Sequence, residues 1–161
     1  PAPSSAVDPP TAAADRSPTA TGPTAAAPDP ASFVGLAVSG GQIGGAYQLV
    51  DLRSGEHPGF TRIVWELEAE GGGIPRYEAV EEAVEGGGAR IALSISDLYG
   101  YAFVGSLSAD TPESAIVRGL RPTQSGDDAL MRFEVELARP ARFTLSALEA
   151  PLRLVLDVHE E

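Results

Sequence analysis

The sequence predicts an all-β domain, a two-sheet β-sandwich of about eight strands, preceded by an unstructured tail. Three observations carry that expectation. Apolar and polar residues alternate with a period of two after Gly45, Gly- and Pro-rich breaks separate the alternating runs, and residues 1–32 show no apolar pattern. Alternation gives each strand one face to bury, and two sheets bury such faces against each other.

Apart from Val7, Gly22, Arg16 and three Asp, residues 1–32 are all Pro, Ala, Ser and Thr, and they hold eight of the 14 prolines. Such a stretch cannot bury enough apolar surface to offset its ordering entropy, so it reads as a disordered linker with polyproline character. Residues 33–46 read as a Gly-rich lead-in and residues 47–161 as the sandwich. Strands are expected near 47–53, 61–69, 76–84, 89–96, 115–121, 130–138, 141–147 and 152–158. In the second of these, Ile63, Trp65, Leu67 and Ala69 face in while Arg62, Glu66, Glu68 and Glu70 face out. Phe133, Val135 and Leu137 alternate with Arg132, Glu134 and Glu136 in the same way. Tyr77 to Val84 has helical propensity, but its Gly-rich flanks and early alternation favour a strand. Breaks at Gly71-Gly72-Gly73, Gly86-Gly87-Gly88, Ser125-Gly126, Arg139-Pro140 and Ala150-Pro151 supply the turns.

The two halves of the domain resemble each other. Leu52-Arg53 matches Leu120-Arg121, and Arg62-Ile63-x-Trp65-Glu66-Leu67 matches Arg132-Phe133-x-Val135-Glu136-Leu137. Arg76-Tyr77 matches Arg142-Phe143, and Arg90-Ile91-x-Leu93-x-Ile95 matches Arg153-Leu154-x-Leu156-x-Val158. An internal duplication would produce this pattern, with two four-stranded halves making the two sheets.

Charge and composition exclude several functions. All 11 basic residues are Arg, and the net charge is −12, so nucleic acid and anionic membrane surfaces are poor partners. Without Cys there is no thiolate catalysis and no cysteine-ligated metal. The two histidines, His57 and His159, lack metal-ligand spacing. Ser39 lacks the first Gly of a nucleophile elbow, and Gly40 to Gly45 lead into a strand rather than a phosphate-binding helix. The many carboxylates occupy alternating exposed positions, as a solvated face requires. The expectation is a non-enzyme without a cofactor or metal.

Two groups remain as candidate ligand-binding residues. Gly55 and Gly59 bracket His57-Pro58 in a tight turn, and Arg53 and Arg62 flank that turn side by side across a hairpin. Arg53, His57 and Arg62 either accept a ligand carboxylate or pair with Glu56, Glu66 or strand-end carbonyls to fix the turn. Tyr99, Tyr101 and Phe103 lie on one face of an extended segment and make either a sugar- or peptide-binding platform or a flap over the core.

Residues 52–66, Leu-Arg-Ser-Gly-Glu-His-Pro-Gly-Phe-Thr-Arg-Ile-Val-Trp-Glu, resemble the R-x-G-x-H-x-G-F-x-R-[IV]-V-[FW]-[ED] signature of AMIN-like domains. Ile74-Pro75-Arg76-Tyr77 resembles that family's V-P-x-[YW] step, and Pro151 to Val158 resembles its terminal P-x-R-L-V-[LIV]-D-[VL] strand. The resemblance runs from about Tyr47 to His159, with no matched pattern between Asp97 and Thr123. It implies a non-catalytic β-sandwich like the AMIN modules of N-acetylmuramoyl-L-alanine amidases and secretins. It further implies a secreted or lipid-anchored envelope protein of high-GC bacteria, with peptidoglycan or an envelope protein as partner. The alternative to wall binding is an adaptor for an envelope enzyme or secretion complex. Any membrane contact would come through a lipid on a Cys upstream of Pro1. A start at Pro1 rather than Met is what a removed signal peptide, or an arbitrary boundary, would leave.

Overall fold

Alternation becomes strand wherever it was read. The computed structural model describes residues 37–102, 109–110, 114–123, 126 and 128–160; the tail expected at 1–32 and Phe103 lie outside them. Its strands are β1 (Val38–Gly40), β2 (Ala46–His57), β3 (Phe60–Glu70), β4 (Tyr77–Ala83), β5 (Ala89–Ser96), β6 (Leu98–Tyr101), β7 (Ala109–Asp110), β8 (Val117–Thr123), β9 (Leu130–Leu137), β10 (Phe143–Glu149) and β11 (Leu152–His159). The eight expected strands are β2–β5 and β8–β11. Three shorter ones, β1, β6 and β7, join them, and β1 lies inside the segment read as lead-in.

They form an all-β sandwich. One sheet has the order β1-β4-β5-β9-β8-β7 and the other β10-β11-β3-β2-β6. Between them lie Leu49, Ile63, Trp65, Ile91, Leu93, Ile95, Phe133, Phe143, Leu154 and Leu156, all but sealed from solvent. Trp65 meets Phe133 edge-on at a centroid distance of 5.6 Å, a preferred aromatic geometry. A bulge between Leu49 and Asp51 shifts the β2–β3 register, so Leu49 and Leu52 both turn inward while Asp51 and Arg53 turn out.

The sequence repeat is a structural repeat, with a different division of strands from the one expected. The halves do not make one sheet each. Each contributes one hairpin to either sheet, so β2-β3-β11-β10 corresponds strand for strand to β8-β9-β5-β4. Registers agree residue by residue. Leu52 faces Trp65 as Leu120 faces Val135, Trp65 faces Leu154 as Val135 faces Ile91, and Tyr77 faces Ile95 as Phe143 faces Val158. Even a bond beyond the strand ends recurs: Ser96 donates its N–H to the Arg76 carbonyl, and His159 donates to that of Arg142. The reason is physical. Matched apolar residues must face the same core, and burial of one face fixes strand register.

Additional strands cover the edges of this eight-strand frame. β1 pairs with β4, β7 with β8, and β6 runs parallel to β2. A single residue, Asp97, separates β5 in one sheet from β6 in the other, and it takes a left-handed conformation at φ 59°. Its carbonyl accepts the Tyr47 N–H at 3.0 Å and its carboxylate the Gly44 N–H at 2.8 Å. The Gly40–Gly45 stretch is consequently docked, not loose: Gln42 exchanges backbone hydrogen bonds with Ile74 and Arg76. Gly41 sits at φ 70°, where a side chain would overlap the Pro75 carbonyl.

Candidate functional site

Several outward-facing carboxylates on the strands pair with arginines. Across the six-stranded sheet, Arg90 bonds Glu82 at 2.6 Å and Glu134 at 3.2 Å, and Arg121 continues the row to Glu134 at 2.9 Å and to Glu136. On the other sheet Arg53 pairs with Asp51 and, at 3.0 Å, with Glu66. The Arg53–Glu66 pair recurs at the equivalent positions Arg121 and Glu136 of the repeat. That recurrence makes it a support of the hairpin, common to both halves.

Of Arg53, His57 and Arg62, the last two meet at Phe60, while Arg53 lies apart with partners of its own. Arg53 lies opposite Val64, while Arg62 lies opposite Gly55, so the two guanidinium groups are diagonal and hold separate partners. Arg62 forks onto Asp157 with two bonds of 2.7 Å, and its guanidinium carbon lies 5.2 Å from the Phe60 ring centroid. Hydrogen bonds to Asp51 and then Glu66 hold the Arg53 pKa above the ordinary guanidinium value; Asp157 does the same for Arg62. His57 instead stacks on Phe60 at 4.8 Å, and His159 approaches the same ring from β11 at 6.0 Å. The chain's two histidines thus meet around one aromatic, which their wide sequence separation conceals. The other expectation for the hairpin, pairing with Glu66, matches the contacts of Arg53.

A groove of about 400 Å³ opens at the opposite end of the same sheet. Its lining is Ala46, Tyr47, Gln48, Glu68, Ala69, Glu70 and Tyr99. Strand pairing builds it: Ala46 faces Glu70 and Gln48 faces Glu68 across β2 and β3, and parallel β6 adds Tyr99 beside them. Leu98 points into the core, so alternation turns Tyr99 outward, where it is 60% exposed. Burial, and then the nearby Asp97 charge, raise the pKa of Tyr47, whose side chain belongs to the core. The Glu68 and Glu70 carboxylates have no hydrogen bond or ion pair among the described residues. Tyr101 is exposed farther along β6 and does not line the groove.

Of the candidate residues, then, Tyr99 alone lies in this groove, and Phe103 lies outside the described residues. Sequence reasoning passed over Gln48, Glu68 and Glu70 because each fits an ordinary solvated strand position. Their available signal was joint: three polar side chains near the ends of two alternating strands that pair. Among the described residues no group of three or more His, Asp or Glu side chains could hold a metal. Set against models of known protein families and against curated proteins, the chain matches none.

Proposed function

We propose that this chain is a non-catalytic binding module of a bacterial cell envelope, acting outside the cytoplasm, and that its groove holds a wall glycan, with peptidoglycan the leading candidate. The observation that carries the proposal is the groove's chemistry: an exposed tyrosine ring beside one amide and two carboxylates without partners. An aromatic face packs against the C–H face of a sugar ring, while Gln48, Glu68 and Glu70 take up its hydroxyl, acetamido or amine donors. A cavity of this size suits one or two sugar rings. The AMIN-like resemblance of residues 52–66 and 151–158 supports the same reading from the sequence side. A net charge of −12 favours ligand groups that donate hydrogen bonds or carry an amine over carboxylates.

Co-sedimentation with purified cell-wall sacculi tests this. Tyr99→Ala is expected to weaken binding roughly tenfold or more, about 1.4 kcal/mol, because a stacked ring supplies much of such a contact. Its melting temperature should stay put, since the side chain is mostly in solvent. Glu68→Gln with Glu70→Gln should weaken binding while also preserving the fold. Wild-type protein that fails to sediment across a range of salt and pH, or a Tyr99→Ala variant that sediments equally well, overturns the proposal.

A further inference from the structure

Three of the four outer strands of the repeated frame are covered by a further strand: β4 by β1, β8 by β7 and β2 by β6. The covering strands are short, at 3, 2 and 4 residues. Short edges are how sheets discourage unwanted pairing. The fourth outer strand, β10, is 7 residues long, and among the described residues no strand pairs with its far side.

The repeat shows what that edge presents. The His159 N–H to Arg142 carbonyl bond sets the hydrogen-bonding phase of β10 against β11. Even-numbered residues bond inward to β11, so Phe143, Leu145, Ala147 and Glu149 direct their backbone N–H and C=O groups outward. In the equivalent strand β4 the phase is the same, and β1 pairs there through Tyr77 and Ala79, the counterparts of Phe143 and Leu145. Leu145 and Ala147 also pack against the core without being fully buried. A strand laid beside them would extend the core as well as the sheet.

We propose that a second copy of this chain occupies the edge, β10 pairing antiparallel with β10 about a two-fold axis at Ser146. The strand is self-complementary in that register. Leu145 of one copy faces Ala147 of the other, and Phe143 faces Glu149, so every outward-directed backbone group meets one from the partner. The two symmetry-related Leu145–Ala147 pairs lie on the core side, and Arg142 of one copy comes to the end of the other strand that carries Glu149. Closed two-fold pairing is the commonest form of self-association. It joins the two five-stranded sheets into one of ten. Each copy carries −12, so long-range repulsion opposes the contact and salt promotes it.

The register makes the test sharp, because the chain has no cysteine of its own. The two Ser146 residues face each other as a non-hydrogen-bonded pair with Cα atoms about 4.5 Å apart, inside the ~4.4–6.8 Å span of a disulfide. Under mild oxidation Ser146→Cys is expected to form a disulfide dimer roughly tenfold or more faster than Leu148→Cys, whose partner across the axis is Thr144. Light scattering on the cysteine-free protein should show mass moving from monomer to dimer between about 50 mM and about 500 mM NaCl. Ala147→Pro deletes an outward N–H without touching a bond to β11 and should stay monomeric at both salts, with its melting temperature confirming the fold. Monomer under every condition overturns the proposal, as does equal cross-linking of the two cysteine variants.

Discussion

Arg53 and Arg62 belong to one hairpin, yet the stability they confer differs because their partners differ in burial. Asp157 retains 17% of its side-chain exposure and is held by a two-bond fork, whereas Asp51 retains 45%. Arg62→Gln leaves Asp157 without its fork and Phe60 without the cation above it, so a loss of about 1–2 kcal/mol is expected in urea melts. Arg53→Gln loosens exposed pairs and should cost less than about 1 kcal/mol. Neither substitution is expected to change sacculus binding, since neither residue lines the groove. Arg62 was recognisable from sequence as a special residue, but its partner was not. Asp157 lies 95 positions away, and nothing in an alternating pattern says which strands become neighbours.

Among the elements, alternation revealed the eight long strands and missed the three short ones for a simple reason. Two to four residues are too few to display a period. β6 was visible only as an aromatic-rich connection, and β1 was hidden in a glycine-rich segment. The paired matches between halves were also legible, because each is a run of inward apolar and outward charged positions. The assignment of hairpins to sheets was not, since alternation specifies a buried face without naming the sheet it belongs to. β1 depends on β4 through Tyr77, whose ring lies against Gly40. Burial raises the Tyr77 pKa, and burial with the Asp97 charge raises that of Tyr47. A pKa raised in the folded state means stability that is complete below the ordinary tyrosine value near 10 and falls as pH climbs through the raised one. Melting temperatures followed from pH 8 upward should therefore decline above about pH 10. The decline should be shallower in Tyr47→Phe and Tyr77→Phe.

At the level of the whole molecule, the exchange of hairpins makes the halves mutually dependent. β3 pairs with β11 and β5 with β9, so each sheet is completed only by the other half. Residues 37–102 alone would hold two hairpins with one face of each open to water, and a lone hairpin is marginal at best. Separate fragments covering residues 37–102 and 103–160 should give circular dichroism spectra of unfolded chains. Their equimolar mixture should recover the β-sheet spectrum. A first half that folds by itself would show that the cross-half ladders contribute little.

The three-residue β1 also has a mechanical consequence. Tension applied at Ala37 meets β1 first, held to β4 by three register pairs, and then the bonds of Gln42 to Ile74 and Arg76 and of Gly44 to Asp97. The next strand in line, β2, spans 12 residues and is clasped on one side by β3 and on the other by β6. The small clasp lets go before the large one. Once those bonds part, residues 38–45 are expected to extend to at most about 3.3–3.6 Å per residue, lengthening the chain before the load reaches Gln48 and the groove wall.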